Sequence, residues 1–171
     1  MNWENIVGRL GPRLYNYFIR RGFLRDAADL TQEVFSRLHQ KLSEGSYDES
    51  RGSIDAFTFG IARFVALENN HLNQIVLTTS EEFDWDALLV SVATTSMEDD
   101  YHRHQTIELF LKEITSLSAI QQDVLTLYMD DEMTLDDMAL VLKLPVGTVK
   151  SHLHRAKEKL KDLLSTKGIC L

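Results

Sequence analysis

Apolar side chains recur along this chain in steps of three and four, and no stretch sustains the alternation of a strand, so the pattern predicts helices throughout. The first covers residues 3–21, with Ile6, Leu10, Leu14, Tyr17 and Phe18 on one face and Gly22 placed to end it. Pro12 predicts a break, an initial turn ending there and a second helix starting. Asp26 to Leu42 is a stronger helix: Leu30, Val34, Leu38 and Leu42 step by four, and Ala27 and Phe35 widen the stripe. Its acids come early (Asp26, Asp29, Glu33) and its bases late (Arg37, Lys41), as the helix dipole prefers. The run from Ser43 to Ser53, dense in Ser, Gly and acids, predicts a loop. Helix returns from Ile54 to about Asn70, with Phe57, Ile61, Phe64 and Val65 inward and Asn69, Asn70 and Asn73 ending it.

Residues 78–100 break this rhythm with Thr and Ser clusters, acids and an amphipathic island, FDWDALL. They predict a tether, with a short helical piece around Trp85 to Leu89. Helix resumes near Tyr101, with Ile107, Phe110, Leu111 and Ile114 inward. Ser118 and Gln121 have capping-box spacing and open a helix that carries Ile120, Val124, Leu125 and Tyr128 on its inner face. Thr134 and Asp137 repeat that spacing ahead of Leu135, Met138, Ala139 and Leu142. A tight turn follows at Lys143, Leu144 and Pro145, the proline being unable to continue one helix but fit to start the next. In that last helix Val149, Leu153, Ala156 and Leu160 face a core. The fold class is therefore all-α: two small helical domains joined by an acidic linker, the second containing a helix-turn-helix.

The front of the last helix carries Thr148, Lys150, Ser151, His154, Arg155 and Glu158. From Lys143 to Lys161 six Lys and Arg stand against one acid. An apolar back, a short turn before it and a basic, hydroxyl-bearing front suit a recognition helix in a major groove. Gly147 and Thr148 at its start let backbone amides approach a phosphate. The plainer alternative is a helical hairpin with a solvated Lys-rich face.

A net charge of −8 looks wrong for a nucleic-acid binder until the charge is placed. Residues 79–100 hold seven acids and no base, while residues 1–78 balance and residues 101–171 carry −1. Affinity for DNA follows the local field, so the basic patch survives the acidic average. With 44% apolar residues a packed core is expected. The single cysteine, Cys170, allows no disulfide framework and no cysteine-based zinc site, which suits a reducing cytoplasm. The start MNWENIVGRLGPR lacks a secretory pattern, and the longest apolar run, Ala87 to Ala93, is too short to span a bilayer. A cytoplasmic protein without membrane insertion is the expectation.

Two separated stretches resemble one family. Residues 124–164, VLTLYMDDEMTLDDMALVLKLPVGTVKSHLHRAKEKLKDLL, are similar to the promoter-reading C-terminal domain of bacterial sigma factors of the extracytoplasmic-function (ECF) group, within the sigma-70 family. DAADLTQEVFSRLHQKL and YDESRGSIDAFTFGIARFVALENN resemble that group's N-terminal domain, and the DLTQEVF stretch makes the match specific. The resemblance implies a region 2-like domain over 1–77, the acidic linker over 78–100 and a region 4-like domain over 101–171. It implies a subunit that binds core RNA polymerase and directs promoter-specific initiation. By resemblance, Asp26, Asp29, Gln32 and Glu33 dock on polymerase, where their carboxylates would steer association with a basic surface. Arg51, Gly52, Ser53 and Arg63 take the −10 element, where Phe57 and Phe59 are candidates to stack on exposed bases, core packing being the favoured role for Phe57. Gly147, Thr148, Lys150, Ser151, His154 and Arg155 match positions that face the −35 element. The tether is implied to thread the polymerase's RNA exit path, where its acids would imitate RNA, a solvated spacer being the equal alternative.

One departure stands out: where the family has a basic cluster after the −10 helix, this chain has LENNHLNQ, which weakens the electrostatic part of −10 engagement. His102 with His104, and His152 with His154, point about 200° apart on a helix and chelate poorly. There is no Gly-rich phosphate loop, Cys/His cluster or nucleophile elbow, so no enzyme activity, cofactor, metal or small-molecule substrate is expected. The expected partners are core RNA polymerase and promoter DNA, with an anti-sigma factor left open. Two alternatives remain: a helix-turn-helix regulator acting without polymerase, and a sigma-like protein that binds an anti-sigma factor.

Overall fold

The computed structural model of the chain describes residues 2–76, 112–130 and 132–166, and every regular element among them is helical. The elements are α1 (Trp3–Arg20), α2 (Ala27–Ser43), a 3-10 turn (Glu49–Arg51), α3 (Ile54–Val76), α4 (Ala119–Tyr128), α5 (Leu135–Leu142) and α6 (Val146–Ser165). The expectations for the acidic tether, its Trp85 to Leu89 piece, Ile107, Phe110, Leu111, the pair His102 and His104, and Cys170 fall outside the described residues. Ile114, on a helical turn before α4, is fully buried as expected.

Helix α1 starts on Asn2, whose side chain accepts from the Glu4 amide at 3.0 Å, and stops in a Schellman turn. The Phe23 amide donates to the Phe18 carbonyl at 3.0 Å, the Gly22 amide to Ile19 at 2.9 Å, and Gly22 supplies the positive φ of 87°. The two phenylalanines then meet edge to face at 6.0 Å. Contrary to expectation, Pro12 does not break α1. The hydrogen bond it removes belongs to the Gly8 carbonyl, and both residues lie on the exposed side, where water can take the unpaired oxygen.

Helices α1, α2 and α3 pack on one another through Leu10, Leu14, Phe18, Val34, Leu38, Phe59, Ala62 and Val65. A second set, α4 to α6, closes over Val124, Leu127, Met138, Val149 and Ala156. Three further expectations on the helices are corrected. Helix α3 runs on past Asn70 to Val76. Asn69 does not end it, because its side-chain amide donates to the Val65 carbonyl at 2.9 Å, a bond compatible with continued helix. Phe64, expected inward, is 58% exposed. The packed arc of α3 is Ala56, Phe59, Ala62 and Ala66, and Phe64 lies outside it with the Arg37 guanidinium 5.9 Å from its ring centre. Tyr128 is likewise surface-facing, its ring covered by the Lys157 ammonium at 3.6 Å.

The two sets also touch each other: α5 lies on α3, and α4 meets α1. That contact brings residues more than 40 positions apart into ion pairs and shapes the candidate site.

Candidate nucleic-acid interface and its covered half

The helix-turn-helix forms as its local sequence dictates. The Thr134 hydroxyl accepts from the Asp137 amide at 3.1 Å, and the Asp137 carboxylate accepts from the Thr134 amide at 3.4 Å, which fixes the start of α5. At the turn Lys143 takes the left-handed conformation (φ 55°, ψ 43°), and the Leu144 amide closes on the Ala139 carbonyl at 3.1 Å. Pro145 then leads into α6. Its back is sealed: Val149, Leu153, Ala156 and Leu160 are all buried. Its front is open: Gly147, Lys150, Ser151, His154 and Arg155 are exposed and Thr148 half-exposed. All six candidate −35 residues thus lie on α6, four of them along one solvent-facing row. The Ser151 hydroxyl donates to the Gly147 carbonyl at 3.0 Å, which leaves its lone pairs outward.

On α2, Asp26, Asp29 and Gln32 are exposed beside half-exposed Glu33. Glu33 is engaged by Arg37, which also reaches Glu68 at 2.7 Å. Burial works against the charged form, but the hydrogen bonds Arg37 donates to Glu68 and Glu33 overcome it and hold the guanidinium more basic than usual.

The four candidate −10 residues are split up. Asp48 caps the 3-10 turn, accepting from the Ser50 hydroxyl at 2.7 Å and its amide at 3.0 Å, bonds that lower the Asp48 carboxyl pKa. Arg51 projects from that turn with its side chain 86% exposed. Gly52 has φ 152° and passes so close to α5 that a β-carbon on it would stand 2.7 Å from Leu140 Cδ1. The Ser53 hydroxyl accepts from the Ala56 amide at 3.1 Å and donates to Asp137 at 2.7 Å. Arg63 donates from Nε to Asp123 at 2.9 Å. A groove of about 750 Å³ between α2, α3 and α5 collects Arg37, Lys41, Tyr47, Arg51, Phe57 and Phe64 on its walls.

The aromatic expectation is therefore redistributed. Phe59 is fully buried, with Tyr17 against its ring at 5.7 Å, so it cannot stack on a base. Phe57 is half-buried beside Tyr47 at 5.3 Å, and Phe64 presents an open face. The periodic reading put Phe57 and Phe64 inward, whereas Phe59 lies about 160° from them on the helix, on the side that α1 encloses. Sequence reading also missed the cation cluster of α1. Arg13 reaches Asp55, Asp130 (2.9 Å) and Glu132 (2.8 Å), and Arg9 holds Asp55 through two bonds of 2.6 Å. Burial works to raise the Asp55 carboxyl pKa, but the bonds from Arg9 and Arg13 overcome it and hold the group below its usual range.

This architecture defines a helical, helix-turn-helix protein with a basic reading face, and comparison with known proteins narrows it. Residues 107–160 match the family described as Sigma-70, region 4. The ECF RNA polymerase sigma factor SigW of Bacillus subtilis is 27% identical over 175 residues, covering 95% of this chain and 88% of that protein. The RNA polymerase sigma-E factor of Streptomyces antibioticus is 26% identical over 150 residues, 84% of this chain and 73% of that protein. In fold the chain resembles RpoE of Bartonella quintana, solved with the anti-sigma factor NepR, at a TM-score of 0.68 and 20% identity over 95% of this chain and 96% of that one. It also resembles CnrH, solved with the cytosolic domain of CnrY, at 0.66 and 19% identity over 96% and 88%. By the region 4 match over residues 107–160 and by relatives that span most of its length, the chain is similar to ECF sigma factors of the sigma-70 family. Among the described residues no helix is long and apolar enough to cross a membrane, and no group of His, Cys, Asp and Glu could hold a metal ion.

Proposed function

We propose that this chain is a sigma subunit that binds core RNA polymerase in the cytoplasm and directs initiation by recognising −10 and −35 promoter elements. Residues 1–77 would dock and read the −10 element, 78–100 would be the tether, and 101–171 would read the −35 element. The observation that carries this reading is the exposed row Lys150, Ser151, His154 and Arg155 on a helix whose opposite face is fully sealed. Such a helix presents cations and hydroxyls to a groove without loss of its own packing. Asp26 and Asp29, exposed at the positive end of α2, supply the acidic face for polymerase.

The test is co-elution with core polymerase followed by run-off transcription on a selected promoter library. Asp29→Lys with Asp26→Lys should abolish co-elution and leave duplex binding intact. A wild-type chain that elutes apart from polymerase and opens no promoter refutes the reading. A second reading, a sigma-like protein held by an anti-sigma factor, is favoured by the fold relative solved with the anti-sigma factor NepR. It predicts capture of an inhibitor without transcription.

A further inference from the structure

Along the seam where α5 lies on α3, the groove of about 750 Å³ holds side chains that the promoter reading leaves unused. Arg37 and Lys41 line it from α2, Arg63 and Phe64 from α3, and Lys143 from the turn after α5. With Arg51, five cations stand there against two acids, Glu44 and Asp48, in a chain of net charge −8. Three of the cations face carboxylates: Arg37 pairs with Glu33 and Glu68, Arg51 lies 3.6 Å from Asp48, and Arg63 holds Asp123. Lys41 and Lys143 are exposed and join no ion pair among the described residues.

Lys143 carries a second signal. Among the described residues it is the one non-glycine with positive φ, at 55°. A left-handed residue at a helix end is ordinarily glycine, because a β-carbon strains that conformation. Such strain persists where the side chain has work of its own, and this one lines the groove from an exposed turn. On the α3 wall, Phe64 is 58% exposed, with the Arg37 guanidinium 5.9 Å from its ring centre. An accessible aromatic face beside unpaired ammonium groups takes a flat heterocycle and phosphates together. The volume lies within the range of small-molecule sites, about 300–1,000 Å³.

We propose that this groove is an effector site for a free purine nucleoside polyphosphate, with its base on Phe64 and its phosphates toward Lys41 and Lys143. A purine offers the larger face to a single ring. A polyphosphate is needed because the two unpaired ammonium groups stand on separate walls. Base and phosphate also occur together in a DNA strand. The free nucleotide is favoured because Lys41, Phe64 and Lys143 lie outside the −10 residues, and Lys143 belongs to the other helical set. Occupancy puts phosphates beside Arg51, so nucleotide and −10 strand compete and the chain responds to the nucleotide pool. That consequence rests on the promoter reading proposed above; the site itself does not.

Calorimetric titration of the full chain, without polymerase, tests the site with GTP, ATP, tripolyphosphate and a random-sequence single-stranded 20-mer pool. GTP or ATP should bind, and tripolyphosphate about tenfold more weakly for want of a base. Lys143→Gly suits the left-handed turn, so it should keep or raise the thermal midpoint yet weaken nucleotide binding about tenfold. Lys41→Gln should weaken it similarly. Phe64→Ala, at an exposed position, should cost about tenfold for the nucleotide and leave tripolyphosphate unchanged. The site is overturned if neither nucleotide binds, if tripolyphosphate binds as tightly as GTP, or if Lys143→Gly binds as wild type does. A strand pool that binds where both mononucleotides do not assigns the groove to DNA alone and overturns it as well.

Discussion

Arg13 is the cation whose removal should be felt most. Its side chain is 12% exposed, sits 5.3 Å over the Phe59 ring and reaches three carboxylates. Arg13→Met keeps most of the aliphatic stem and deletes the charge. The three acids then fare differently. Asp55 keeps both bonds from Arg9 at 2.6 Å. Glu132 is 57% exposed and loses little, since water replaces the pairing. Asp130 is 7% exposed and loses its bonds to Arg13 Nε and Nη2, keeping the Glu132 amide at 3.1 Å. Stranding a buried carboxylate costs about 3–5 kcal/mol at worst, and the remaining amide bond with partial access of water brings the expected loss to about 2–3 kcal/mol. Urea denaturation followed by circular dichroism measures it as a lowered midpoint at constant slope. Adding Asp130→Asn removes the stranded charge and should recover about 1 kcal/mol. A single variant within about 0.5 kcal/mol of wild type, or a double variant less stable than the single, refutes the claim that Asp130 depends on Arg13.

Asp55 makes stability depend on pH. Its folded pKa lies below its unfolded one, so the stabilisation is present above about pH 4 and disappears as pH falls through the folded value. Urea midpoints should therefore fall in acid, and Asp55→Asn should flatten that fall. Thr134→Ala removes the acceptor of the Asp137 amide and should cost about 1 kcal/mol, read as a lower thermal midpoint without change in α2. Arg155→Ala should weaken binding to a selected −35 duplex by about 1–3 kcal/mol if it reads a base edge; anisotropy titrations across salt would show a slope reduced by about 1 if it meets a phosphate instead.

The helix-turn-helix was legible because its determinants are local. Thr134 and Asp137 lie three apart, Pro145 can only start a helix, and the stripe at 149, 153, 156 and 160 has one way to face inward. The acidic start of α2 was legible for the same reason. The meeting of Arg21, Arg63 and Asp123 was not, since it spans 60 residues or more of chain and no local pattern announces it. The assignments of Phe59 and Phe64 failed for an intermediate reason. Helical spacing puts Phe57 and Phe64 on one side of α3 and Phe59 about 160° away, and only the placement of α1 against Phe59 decides which side is enclosed. Pro12 shows the reverse case, where a local rule met a solvent-facing carbonyl and lost its force.

The ion pairs at the seam bear on how the two helical sets meet. Apolar side chains of both sets form one buried cluster. Guanidinium–carboxylate pairs also cross the seam: Asp123 accepts an aligned bond from Arg63, and Asp130 accepts from Arg13. A change that strands either carboxylate leaves a buried charge unpaired, which costs more than the loss of a surface pair.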